Sequence, residues 1–189
     1  MPDDVAPQPG CNDLTMPVGT RDHIEGPADA PVMLVEYGDY ECPDCLNAWP
    51  IVKQLRQRVG DRMAFSFRHF PRSSIHPHAS AAAQAAEAAA SQGKFWEMHD
   101  LLFRNQQRLG DVDFTHLALQ LGLEVYRFQS DFERLSHVRR IRDDVDAGTA
   151  SGVRGTPTFF INGCKYSGAV DVPAMLAAIE AAAGTKAGM

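Results

Sequence analysis

Cys42-Pro43-Asp44-Cys45 lies between an apolar run, Val32-Met33-Leu34-Val35-Glu36-Tyr37, and a series with helical spacing, Leu46, Trp49, Val52, Leu55 and Val59. The run reads as a strand and the series as one face of a helix, so the cysteines mark a strand-to-helix junction. This puts Cys42 at the helix N-cap, where unpaired backbone N–H groups and the positive end of the helix dipole stabilise a thiolate. Pro43 falls at the first helical position, where a missing N–H costs nothing. Cys45 comes one turn later, facing the body of the protein and within reach of a mixed disulfide formed at Cys42. Cys42 is therefore read as the nucleophile and Cys45 as the resolving thiol of a disulfide-exchange site.

Other readings of the pair fit less well. Half of a zinc site needs further ligands, and no second Cys-x-x-Cys or close Cys/His pair follows. A purely structural disulfide here would close a loop too small to restrain much of the unfolded chain. Among the seven histidines, His76-Pro77-His78 is the densest pair. Without carboxylate or thiol neighbours at ligand spacing, it reads as a loop leading into the next helix. His99, beside Phe95 and Trp96, reads as a core or boundary residue. No metal and no bound cofactor are expected.

A length of 189 residues with 44% hydrophobic content suits one compact domain with a sizeable core. A net charge of -6 without a basic cluster argues against nucleic acid or an anionic membrane as partner. No apolar run is long enough to span a bilayer. The start of the chain lacks the basic and apolar segments of a secretory signal, so a cytoplasmic protein is expected, or an extracytoplasmic one if already trimmed. Cys11 and Cys164 have no local partners. Free thiols are their default in a reducing cytoplasm; a disulfide tying the leader to the Cys164 hairpin, and an intermolecular bridge, stay open.

Gly60-Asp61 turns the chain after the first helix, and Met63, Phe65 and Phe67 then alternate with Ala64, Ser66 and Arg68. This second strand completes a β-α-β unit, and Pro50 is expected to kink the helix within it. From His78 to Gly152 the period is helical, over 79–90 with Gly93 as terminator, then 94–107, 114–121, 125–135 and 138–150, with Asp113 and Ser136 as N-caps. Thr158-Phe159-Phe160-Ile161, the turn Asn162-Gly163 and Cys164-Lys165-Tyr166-Ser167 make a hairpin. A last helix over 172–182 precedes a fraying end over 184–189. The expected architecture is α/β, as β-α-β, a helical insertion and β-β-α. A flexible leader covers 1–21 and a single domain 22–189, with the core at 31–71 and 155–183 and the insertion at 76–152.

That order is a thioredoxin fold interrupted in the middle. Over 22–182 the chain resembles the DsbA-like thiol-disulfide oxidoreductases of the thioredoxin superfamily, through Gly38-Asp39-Tyr40-Glu41-Cys42-Pro43-Asp44-Cys45, Phe67-Arg68-His69-Phe70-Pro71, Phe95-Trp96-Glu97-Met98-His99 and Gly155-Thr156-Pro157-Thr158-Phe159-Phe160. The resemblance implies that Thr156-Pro157 is the family's cis-proline loop, with Thr156 docking an extended substrate beside Cys42. Pro43 and Asp44 would line the same groove. It also implies a buried acid at Glu36, its pKa raised by burial, fit to exchange a proton with Cys45; a strand-edge glutamate facing water is the alternative. Asp44 departs from the best-known pattern of the family, which has histidine there. Its negative charge disfavours the Cys42 thiolate and makes the pair less oxidising.

The activity so implied is disulfide exchange with protein thiols, coupled to a redox partner protein or glutathione, by a monomer. Disulfide reduction or isomerisation is the alternative within catalysis, and a redox sensor or binding module using Cys11 or Cys164 is the alternative outside it. A kappa-type glutathione transferase shares the interrupted fold but uses a single nucleophile, against which the intact pair argues.

Overall fold

The computed structural model describes residues 11–186. A five-stranded sheet has the order β1-β3-β2-β4-β5. Its centre is β2 (Val32–Gly38), parallel to β3 (Met63–His69) and antiparallel to β4 (Thr158–Ile161). The outer strands are β1 (His23–Glu25), against β3, and β5 (Cys164–Lys165), against β4. Helix α1 (Pro43–Val59) crosses over between β2 and β3, and α7 (Val172–Lys186) packs beside it against β2 and β4. Between β3 and β4 come α2 (Ala79–Ala90), α3 (Phe95–Arg104), α4 (Phe114–Gln120), α5 (Val125–Glu133) and α6 (Val138–Ala150).

Alternation along the strands divides the core in two. Val32, Leu34, Phe65, Phe67, Phe159 and Ile161 face α1 and α7 with Val52, Leu55, Met175 and Ile179. Val35, Tyr37 and Phe160 face the other way, with Leu14 and Val153. All of β3 is buried, because its second face is covered by the N-terminal segment and by α6. Arg68 is wholly buried there, bonded to Asp22 Oδ1 (2.7 Å), Met16 O (2.8 Å) and Tyr37 Oη (3.0 Å). A buried guanidinium is tolerable because these acceptors satisfy it.

Several details differ from the sequence expectation. The leader is not loose from Cys11 onward: Leu14 is buried, and Asp13 N and Leu14 N each donate to Gly163 O at 3.0 Å. Cys11 and Cys164 form a disulfide with Cα atoms 5.4 Å apart, instead of two free thiols. Residues 1–10 of the expected leader, and 187–189 of the expected fraying end, lie outside the described residues; up to Lys186 that end is helix. Strand β1 has too few residues to show a period. Helix α1 runs through Pro50 without a break. Strand β5 stops at Lys165, after which only Tyr166 N still bonds to the sheet, at Phe159 O.

Ser136 does not cap α6, whose N-cap is His137; Ser136 N instead bonds to Asp131 O and closes off α5. Asp113 does cap α4, accepting from Thr115 N at 2.9 Å. Helices α2 and α6 have the expected bounds, and positive φ at Asn162 (49°) and Gly163 (84°) makes the tight hairpin turn. The alanines of α2 let it sit buried among the insertion's helices. Its Glu87 accepts from or is shared by His23 Nε2 and His69 Nε2, each at 2.8 Å, and so ties the insertion to the sheet.

Candidate active site

The chain leaves β2 at Gly38, where a Cβ would lie 2.2 Å from the Phe67 ring. Only glycine lets the strand end this close to β3. The turn that follows brings Cys42 N to Asp39 O at 3.1 Å, and Cys42 becomes the N-cap of α1 in extended conformation, with Pro43 next. Cys42 and Cys45 are both free thiols; Cys42 is 4% exposed and Cys45 fully buried.

Across from α1, the loop before β4 holds Thr156-Pro157 in the cis form. The Cys42 sulfur lies 3.2 Å from Thr156 O, to which it donates when protonated. The Thr156 hydroxyl is buried with no hydrogen-bond partner among the described residues, so it is available to donate to the sulfur once Cys42 ionises. The loop therefore offers backbone and hydroxyl beside the first sulfur, although Thr156 is 114 residues away.

Electrostatics separate the two sulfurs. The Cys42 pKa is lowered to about 5, first by the Cys45 thiol hydrogen-bonded to it and then, against burial, by the Thr156 side chain and the backbone donors of Cys45 and Asp44. Burial pushes the Cys45 thiol far up, helped by the hydrogen bond it gives to Cys42 and by the negative charge of Glu36. One sulfur is thus held as thiolate and the other as thiol at neutral pH. Asp39 N donates to Cys45 Sγ at 3.5 Å.

Glu36 is 2% exposed, with Oε1 unpartnered among the described residues, so it does not face water as a strand-edge residue would. Burial, and then the Cys42 charge, raise its pKa to about 8. It borders a cavity of about 380 Å³ between α1 and α3 that is also lined by Trp49, Lys53, His99 and Asp100. Burial drops the His99 pKa to about 3, and its Nδ1 pairs with Tyr40 Oη at 3.1 Å.

The expected positions come together unevenly. Cys42, Cys45, Thr156 and Pro157 converge, Glu36 lies beneath the sulfurs on the α1 face of β2, and Asp44 is exposed on the first turn of α1. The supports of the cysteine loop are not legible in the sequence. Buried Asp39 accepts from Glu41 N (2.8 Å), Arg72 N (2.8 Å) and His76 Nδ1 (2.7 Å). Glu41 pairs with His78 N (2.6 Å) and Nδ1 (2.8 Å). The two histidines of His76-Pro77-His78 do have carboxylate neighbours, contrary to the sequence reading, but each holds its own carboxylate and straps the β3–α2 loop to the cysteine turn. Among the described residues, no cluster of three His, Cys, Asp or Glu side chains is placed to hold a metal.

A family model described as "Thioredoxin" matches residues 19–181. The chain is 45% identical over 179 residues to a Salinispora arenicola protein named "Na(+)/H(+) antiporter NhaA 1", a match that takes in 94% of this chain and 27% of that protein. The chain spans about a quarter of the length of such curated relatives. Among solved structures, Wolbachia pipientis alpha-DsbA1 has a TM-score of 0.77 at 21% identity, covering 93% of this chain and 97% of that one. Pseudomonas aeruginosa DsbA2 has a TM-score of 0.70 at 26% identity, covering 87% and 94%. Among the described residues, no helix is long and apolar enough to cross a membrane.

Proposed function

Because the chain belongs to the thioredoxin family, with the fold of its DsbA-like thiol-disulfide oxidoreductases, we propose that it exchanges disulfides with protein thiols through Cys42 and Cys45. The observation that carries this reading is the Cys42 sulfur at a helix N-cap, 3.2 Å from Thr156 O, with its pKa lowered to about 5.

In the oxidising direction, a client thiolate attacks Cys42 Sγ of the Cys42–Cys45 disulfide. The S–S bond breaks, and Cys45 leaves with the electron pair and takes a proton, for which Glu36 is the donor. A second client thiolate then attacks the client's own sulfur in the mixed disulfide, releasing Cys42 as a thiolate and the client as a disulfide. Two electrons pass to the cysteine pair, and a redox partner protein or glutathione takes them away. Pro43, Asp44, Thr156 and Pro157 form the rim against which the client strand lies, Thr156 pairing through its backbone. The protein works without a bound cofactor, as a monomer.

A low-pKa thiolate stabilises the reduced pair and so favours the oxidant over the reductase. The Cys11–Cys164 bridge favours an oxidising compartment over the cytoplasm, since structural disulfides persist there. The reduction potential of Cys42/Cys45 against glutathione buffers tests the direction, with Cys11 and Cys164 replaced by serine. The expected value lies above thioredoxin's, about -270 mV, and below the about -120 mV of the strongest oxidants. A value at or below thioredoxin's makes it a reductase instead.

A further inference from the structure

One amide of the helical insertion reaches two backbone carbonyls of the cysteine turn. Gln106 lies in the 3-10 turn Gln106–Arg108 just after α3 and is buried. Its Nε2 donates to Tyr40 O at 2.9 Å and to Cys42 O at 2.8 Å. A carboxamide nitrogen has two hydrogens, and both are spent on the carbonyls that bracket the entry to α1.

The placement is not neutral for the sulfur. Cys42 O is the first acceptor of α1, taking Leu46 N at 3.1 Å, and the peptide it belongs to ends in Pro43, which has no N–H. The peptide plane of that carbonyl sets how the next N–H groups, of Asp44 and Cys45, are aimed. Those two donors are among the groups that favour the Cys42 thiolate. Gln106 draws both carbonyls onto the insertion while the sulfur faces Thr156 on the opposite loop. Left without donors, two buried carbonyls would gain by turning toward other partners, and the turn would lose its aim.

We propose that Gln106 is a positioning residue for the redox pair: it holds the Tyr40 and Cys42 carbonyls so that the first turn of α1 presents its donors to the Cys42 sulfur, and it makes the redox balance depend on how the insertion is seated. This deepens the proposed disulfide exchange and rests on that reading. Gln106 touches neither sulfur nor client, so its influence is on the equilibrium between dithiol and disulfide.

The test is Gln106→Met in the full chain, which keeps length and volume and removes both donors. Cys42 ionisation is read from the pH dependence of its alkylation, the dithiol–disulfide ratio from glutathione buffers, and unfolding is followed for both redox forms. Two hydrogen bonds toward the lower end of their net worth correspond to about a tenfold change. The ionisation constant of Cys42 should fall by about that factor and the equilibrium should shift toward the disulfide by a similar one, so that the reduced form loses more stability than the oxidised form. Equal losses in both forms, with ionisation and redox equilibrium unmoved, would reduce Gln106 to packing and overturn the proposal. If Gln106→Met does not fold, Gln106→Asn carries the same test: its shorter arm cannot span both carbonyls, and it should move both constants in the same direction by less. A wild-type chain that reaches no equilibrium with glutathione would sink the exchange reading itself, a result distinct from an unmoved variant.

Discussion

The two cysteine pairs sit at opposite ends of β2 and are built from opposite materials. Cys42 and Cys45 follow the strand's last residue, one helical turn apart and both free. Cys164 follows the hairpin whose Asn162 N bonds to Met33 O at the strand's beginning, and it is bridged to Cys11 across 153 residues. A bridge between neighbours on one helix turn restrains little of the unfolded chain, whereas one across most of the chain removes much of its freedom. The first pair is surrounded by donors and a carboxylate that hold its sulfurs in different protonation states. The second fastens the segment that covers the outer face of β3. The difference is one of role: one pair is arranged to open and close, the other to stay closed.

The strongest way to break this contrast is to interchange the expected losses. Cys42→Ser should bring disulfide exchange down to background in a client-oxidation assay, and Cys45→Ser should accumulate a mixed disulfide visible by mass spectrometry. Residual turnover in Cys42→Ser would move the chemistry elsewhere. Replacing Cys11 and Cys164 by serine should cost about 4 kcal/mol of unfolding free energy through the long loop. Exchange should stay within about twofold, because the two sites are far apart and share no partners. A large loss of exchange in that variant would revive the sensor reading.

The pairs also differ in how legible they are. The strand, the cysteines and the helix pattern are adjacent, so local periodicity and the proline at the helix start set them; periodicity likewise gives the bounds of α2 and α6, and turn chemistry the Asn162-Gly163 turn. The Cys11–Cys164 bridge, the burial of Arg68 under the leader and the hold of Gln106 on Cys42 join residues far apart in sequence. Nothing local announces them, since each exists only once the sheet and insertion have packed. Asp39 is an intermediate case: it stands inside the motif, but its role as a hub depends on Arg72 and His76 arriving from the next loop. The histidine pair lies in the loop before α2, and its carboxylate partners, Asp39 and Glu41, reach it from across the turn, beyond what sequence spacing shows.

Glu36 sharpens the contrast through pH. In the reduced protein its pKa is raised to about 8 from an ordinary 4.5. The native state thus holds a proton that the unfolded chain gives up, and stability falls as pH rises between those values. Cys42, lowered to about 5 from 9.0, works the other way: its contribution is complete above the unfolded value and is lost as pH falls through about 5. Between about pH 6.5 and 8 the two slopes oppose each other and the reduced form should change little, whereas below 6.5 the buried neutral His99 adds a gain with rising pH. Glu36→Gln removes one of them, so the reduced form should gain about 3 kcal/mol at pH 7 and become steadily more stable with rising pH in urea titrations, while formation of the mixed disulfide by the oxidised protein slows. A variant that merely repeats the wild-type pH profile would mean that Glu36 carries no such proton.

The smallest effect belongs to Asp44, the exposed charge on the first turn of α1. At a separation of about 6 Å and an effective dielectric near 40, a carboxylate there disfavours the Cys42 thiolate by on the order of 1 kcal/mol, which corresponds to roughly 20 mV for a two-electron couple. Asp44→Asn should raise the reduction potential by about that amount, stabilising the reduced form relative to the oxidised one and leaving the Cys11–Cys164 bridge untouched. Because the charge is in water, the gap between wild type and variant should shrink as salt rises toward molar concentration, where the Debye length is about 3 Å. A gap that ignores salt would mean that Asp44 acts through the geometry of the helix start, as Gln106 does, and that the balance of the pair is set by how the turn is held more than by the charge at its surface.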